Sequence, residues 1–67
     1  MSIARVTEIS ATSPHGFDDA VKQGLKRASK TLRNIKGVWI KDQNGLVENG
    51  ELKEFKVNML VTFELEE

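Results

Sequence analysis

Few side chains in this sequence have the type and spacing to do chemistry. The single histidine, His15, stands beside Pro14, and the chain has no cysteine. A zinc centre needs about four such ligands, so no metal site is expected. Nor does any serine or acid stand with His15 at a spacing that suggests a nucleophile and its base. The acidic pairs Asp18-Asp19 and Glu66-Glu67 read as solvated charge. No glycine-rich phosphate loop of the dinucleotide-binding or Walker type follows a strand. No catalytic set remains, and the expectation is that the protein is not an enzyme. Two features are left that can bind. One is the only tryptophan, Trp39, with Lys41, Asp42 and Gln43 close behind it. An indole can stack a flat ligand, seal a subunit contact or simply lie on the surface. The other is a basic run, Lys26, Arg27, Lys30 and Arg33. These cations complement a helix C-terminus, or they contact a phosphate or acidic ligand.

The bulk numbers narrow the choice. A chain of 67 residues reads as one domain, residues 1–67. At this length only about 60% of the unfolded surface is buried on folding, so small domains rely on disulfides, a metal or self-association. With disulfides and a metal site excluded, a homo-oligomer is expected. Ten basic and ten acidic residues balance to zero, which argues against a nucleic-acid binder. No apolar run approaches the roughly 18 residues of a membrane span. Met1-Ser2-Ile3-Ala4-Arg5 lacks the apolar core of a signal peptide, so a cytoplasmic protein is expected.

The elements that must position Trp39 can be read from periodicity. Residues 51–66 form the clearest stretch: Phe55, Val57, Met59, Val61, Phe63 and Leu65 alternate with mostly polar neighbours. A period of two is a β-strand with one apolar face. Residues 3–11, with Ile3, Val6, Thr7 and Ile9, read as another strand. Ser13 as cap and Pro14 at the first position then open a helix. Its stripe is Phe17, Ala20, Val21, Gly24, Leu25, Ala28 and Leu32, and the small residues in the middle suit close approach to a sheet. Asn34 to Gly37 read as a turn, and Val38–Gln43 as the second strand. Asn49-Gly50 is a two-residue hairpin signal, while Asn44-Gly45 reads as a turn dipeptide or a bulge. The order is β-α-β-β, an α+β fold.

A two-residue turn at Asn49-Gly50 sets the register of the hairpin. Val38 then faces Val61 and Ile40 faces Met59, on the apolar side that the helix must cover. Trp39 faces Leu60, Lys41 faces Asn58 and Gln43 faces Lys56, on the other side of the sheet. The tryptophan therefore belongs to a second, polar and aromatic face.

Taken together, the chain resembles the dodecin family over residues 3–66. The resemblance is carried by Ala11-Thr12-Ser13 at the end of the first strand and by a helix from Phe17 through Ala20 to Thr31-Leu32-Arg33-Asn34. Asp42-Gln43 in the second strand and Glu54-Phe55 leading to Val61-Thr62-Phe63-Glu64-Leu65 complete it. It implies a β-α-β-β subunit whose three-stranded antiparallel sheet wraps partly around one helix, twelve copies of which form a hollow shell. It also implies non-catalytic binding of a flavin (riboflavin, FMN or FAD) for storage or buffering; archaeal-type members stack pairs of rings between tryptophans of symmetry-related subunits. Some bacterial members also bind coenzyme A. Aligned without gaps, the family's stacking tryptophan falls on Gly37 and its ring-edge glutamine on Lys56, while the acid near the ribityl chain is kept as Asp42. Trp39 stands two residues further on, the same face displaced by about 7 Å. Lys56 can donate to the ring edge but cannot accept from it as an amide does. The resemblance thus implies cofactor contacts at Trp39, Gly37, Lys56, Asp42 and Gln43, with weak binding or an altered pose. The alternatives are an anionic ligand such as coenzyme A, and a purely structural oligomer.

Overall fold

The computed structural model describes residues 3–65. Glu66 and Glu67, and the expected strand end at Glu66, lie outside the described residues. Strand β1 (Ala4–Ser13) is followed by helix α1 (Phe17–Ala28), strand β2 (Ile35–Glu48) and strand β3 (Glu51–Glu64). The sheet is antiparallel with order β1-β3-β2, so the strand with the clearest alternation is the central one. Val57, Met59 and Val61 of β3 are fully buried. Ala20 of α1 joins them in the core, with Ile9, Ala11, Phe17, Val21, Leu25, Leu32 and Ile35 packed around it.

The helix begins later than the sequence suggests. Its N-cap is Gly16, with no side-chain cap. Ser13 ends β1 instead, buried. Its hydroxyl accepts the His15 N–H at 3.0 Å and donates to Asp19 at 2.5 Å. Ser13 thus folds the chain into a local turn and ties that turn to the first helical turn. Proline at position 14 falls within this connection rather than in the helix. The ring of Phe17 meets that of Phe55 edge-on, centroids 5.1 Å apart, which fixes the start of α1 over β3. Further along, a Cβ at Gly24 would lie 2.5 Å from Met59 Cε and 3.1 Å from Ala11 Cβ. The missing side chain is what allows the close approach of helix and sheet.

Strand β2 is far longer than the six residues expected. It takes in residues 35–37 of the expected turn, leaving Asn34 outside it with a positive φ of 61°, and it runs through Asn44-Gly45, which is neither a turn nor a bulge. The hairpin turn at Asn49-Gly50 is as expected: both residues have positive φ, and Glu48 pairs with Glu51. Between its ends the register steps three times, leaving Lys36, Lys41 and Lys53 as the extra residues. Bulges and lysines are both devices that blunt an edge strand, and β2 is an edge.

The cover is also partial. Val38 and Ile40 share the helix-side face with Val61 and Met59, as expected. However, α1 packs on β1 and β3. Val38 and Ile40 stay 37% and 40% exposed, and the distal arm leaves Leu46, Val47 and Leu52 exposed. The molecule is accordingly elongated, 52 × 20 × 13 Å.

Candidate functional site

The face of the sheet away from α1 carries the candidate residues. Pairing places them in rungs along β3: Gly37 opposite Thr62, Trp39 opposite Leu60, Asp42 opposite Asn58, and Asn44 opposite Lys56. β1 closes the other side of β3 with Val6, Glu8, Ser10 and Thr12. Directly opposed residues on paired strands share a face. Trp39, Gly37, Asp42 and Lys56 are therefore brought onto one surface. Trp39 is 71% exposed, its indole standing on that surface beside Leu60.

Gln43 is not among them. The expected pairs Lys41–Asn58 and Gln43–Lys56 are replaced by Asp42–Asn58 and Gln43–Val57, with Asn44 opposite Lys56. The cause is the bulge at Lys41. One extra residue on β2 moves every following residue to the opposite face. Gln43 turns to the helix side, and Asn44 takes its place near Lys56. No local sequence signal marks that bulge; the Asn-Gly pair at 44–45 draws attention to the wrong position.

Polar partners fix this surface. Asn58 Nδ2 donates to Asp42 Oδ1 at 2.6 Å. Lys41 Nζ reaches across β3 to the Glu8 carboxylate at 3.3 Å. Lys41 is thereby engaged by Glu8 rather than by its neighbour Asp42, whose carboxylate is oriented by a neutral amide. One Asp42 oxygen and the Asn58 carbonyl remain as acceptors. Two ion pairs occur among the described residues, Lys41–Glu8 and Lys53–Glu51, and Lys56 belongs to neither. Asn58 and Glu8 were not singled out as site residues from the sequence. The even positions of a strand opposite an exposed tryptophan were the available signal for Asn58.

The basic residues of α1 lie elsewhere. Lys26 and Arg27 occupy its last turn, where they complement the helix dipole. Arg27 lines an open groove of about 550 Å³ between α1 and β1, with Ile9, Ala11, Gln23 and Thr31. That groove is on the helix side of the sheet. The cations of α1 and the indole of Trp39 therefore cannot meet the same ligand within one subunit. No group of three or more metal-ligating side chains is found among the described residues, and no described helix is long and apolar enough to cross a membrane.

The fold and this surface can be set against known proteins. The dodecin family model matches residues 3–66. The chain belongs to the dodecin family. Dodecin from Thermus thermophilus is 34% identical over 65 residues, covering 97% of this chain and 94% of that protein. The structure of dodecin from Streptomyces davaonensis superposes with a TM-score of 0.92 at 38% identity, covering 98% of this chain and 97% of that one. Dodecin from Streptomyces coelicolor gives a TM-score of 0.92 at 38% identity, with 98% and 94% covered. The β-α-β-β subunit is thus the dodecin subunit, partial wrap of the helix included.

Proposed function

We propose that this dodecin is a non-catalytic flavin-binding protein that stores or buffers riboflavin, FMN or FAD within a hollow homododecamer. Family membership supports the ligand class and the self-association. The observation in this chain that carries the reading is Trp39, exposed on the outer face of the sheet one rung from Asp42. An exposed indole beside an oriented carboxylate suits a flat ring that bears a polyol chain. The outer face of one subunit offers a single wall to the ring, and the second wall is a Trp39 from another copy. Val38, Ile40, Leu46, Val47 and Leu52, exposed in the single subunit, supply apolar surface for such assembly.

Two departures from the family pattern shape the binding. Gly37 offers no ring to stack on, so the flavin shifts by about 7 Å toward Trp39. Lys56 in place of an amide donates to its ligand but cannot accept from N3–H of the ring. Binding is then weaker than in members with tryptophan and glutamine at these positions. The test is direct. Purified protein is examined for the yellow flavin absorption and then titrated into riboflavin while flavin fluorescence is followed. Quenching is expected, and fluorescence unquenched at tens of micromolar protein ends the reading.

A further inference from the structure

The tip of the β2–β3 arm carries a reactive pair that flavin binding does not use. Asn49-Gly50 forms the two-residue turn, with φ of 52° and 77°, and both residues are exposed. Among the described residues neither the Gly50 N–H nor the Asn49 carboxamide has a hydrogen-bond partner. A Cβ at Gly50 would meet nothing within 4 Å, so the space around its nitrogen is open. We propose that Asn49-Gly50 is a self-modification site, at which Asn49 turns into aspartate and isoaspartate, and that the fold spares the identical dipeptide Asn44-Gly45. In the step, the Gly50 amide nitrogen gives its proton to solvent and attacks Asn49 Cγ. The new N–Cγ bond forms as the Cγ–Nδ2 bond breaks, and Nδ2 takes up a proton and leaves as ammonia. Water then opens the cyclic imide. Opening at Cγ restores the ordinary main chain as aspartate, and opening at the main-chain carbonyl leaves the chain running through Cγ as isoaspartate. One water is consumed and one ammonia released.

Strand pairing decides which of the two dipeptides reacts. Attack needs the peptide plane between Asn and Gly to turn until its nitrogen reaches Cγ. At the tip that plane lies outside the ladder. Beyond the bulge at Lys53 the tip is held by two pairs only, Val47–Leu52 and Glu48–Glu51. The second sets like charges directly opposite each other, which weakens it. An exposed two-stranded end of this kind opens at little cost. Asn44-Gly45 lies instead within the unshifted run from Asp42–Asn58 to Leu46–Glu54. Its partners Lys56 and Phe55 pair in turn with Thr12 and Ser13 of β1, so three strands hold these rungs. The Leu52 side chain also fills the space of a Cβ at Gly45. Asn34 shares the positive φ of Asn49, but Ile35 follows it, and a β-branched side chain shields the nitrogen. The products change the arm. A new carboxylate joins Glu48 and Glu51, while Lys53 is already paired with Glu51. Isoaspartate also adds one carbon to the main chain, so the two-residue turn and the Glu48–Glu51 register cannot both persist.

The experiment ages the wild-type assembly in heavy-oxygen water at physiological temperature and mildly alkaline pH. Peptide mapping by mass spectrometry then reads the label that enters at each asparagine. Asn49 is expected to convert at least about tenfold faster than Asn44, because the tip opens more easily than the three-stranded rungs. Asn34 is expected to stay intact. In urea, where both dipeptides are open, the rates at Asn49 and Asn44 are expected to converge. An Asn49 that stays intact in the folded assembly, or converts no faster than Asn44, overturns the proposal. A difference that persists in urea also overturns it, because the fold is then not what spares Asn44. In the isoaspartate fraction, amide hydrogen exchange over residues 46–52 is expected to speed up, and unchanged exchange overturns the effect assigned to the arm.

Discussion

Replacing Trp39 with alanine separates a ligand platform from a subunit seal. The indole is 71% exposed in the single subunit. Of the roughly 250 Å² a large aromatic can bury, about 180 Å² is therefore open. If that area were sealed in a subunit contact, its loss would cost about 4–5 kcal/mol per subunit at about 25 cal/mol per Å². An oligomer held together by such contacts would fall apart at micromolar concentration. If the area instead holds a flavin, the subunit loses only the part of the indole packed on the sheet, at most about 2 kcal/mol. The oligomer then survives while each ring loses stacking worth about 1–3 kcal/mol. The expected result is an unchanged mass by size exclusion with light scattering and riboflavin affinity lower by about 5- to 150-fold. A fall in mass, or an affinity that does not move, refutes the assignment of Trp39 to the ligand.

Three further outcomes are expected. Gly37→Trp should fit, because nothing lies within 4 Å of a Cβ at Gly37, and a ring there should strengthen riboflavin binding by about tenfold or more; unchanged affinity in a titration would show that the flavin does not extend to that rung. Ser13→Ala should raise the Asp19 pKa. The Ser13 hydroxyl is the largest of the causes that hold this carboxylate below its ordinary value, ahead of the opposing desolvation and of Gln23, His15 and Lys22. A depressed carboxylate stabilises the fold above its ordinary pKa, and that stability is lost as pH falls through the lower, folded value. The variant should therefore be less stable near neutral pH and should lose less stability than the wild type on acidification, and a carboxyl-carbon NMR titration of Asp19 reads the shift directly. Finally, Gly24→Ala sets a helix-propensity gain of about 1 kcal/mol against overpacking of about 1–3 kcal/mol. Met59 is fully buried and Ala11 cannot turn away, so overpacking wins and Tm is expected to fall. A rise in Tm would mean that Met59 Cε swings aside and that the close approach does not need glycine.

Periodicity alone determined the central features of this protein. The alternation from Phe55 to Leu65 fixes a strand with a single buried face, since side chains two residues apart must point the same way. The stripe from Phe17 through Ala20 and Gly24 to Ala28 fixes the helix that covers it, and Asn49-Gly50 fixes the turn through its positive φ angles. From the turn, the sequence also placed Trp39 on the face away from the helix. The family pattern supplied Asp42 as a site residue. What the sequence could not decide is which of Asp42, Gln43 and Asn44 share the face of Trp39. That depends on a single extra residue at Lys41, and a bulge forms where the whole β2–β3 pair gains by shifting register, not where a local motif asks for it. The tertiary structure also decided that β2 projects past the helix, because β3 lies between β1 and β2 and one helix covers only two strands. Face alternation is a property of each residue, whereas register and cover are properties of paired and packed elements. The candidate site depends on both.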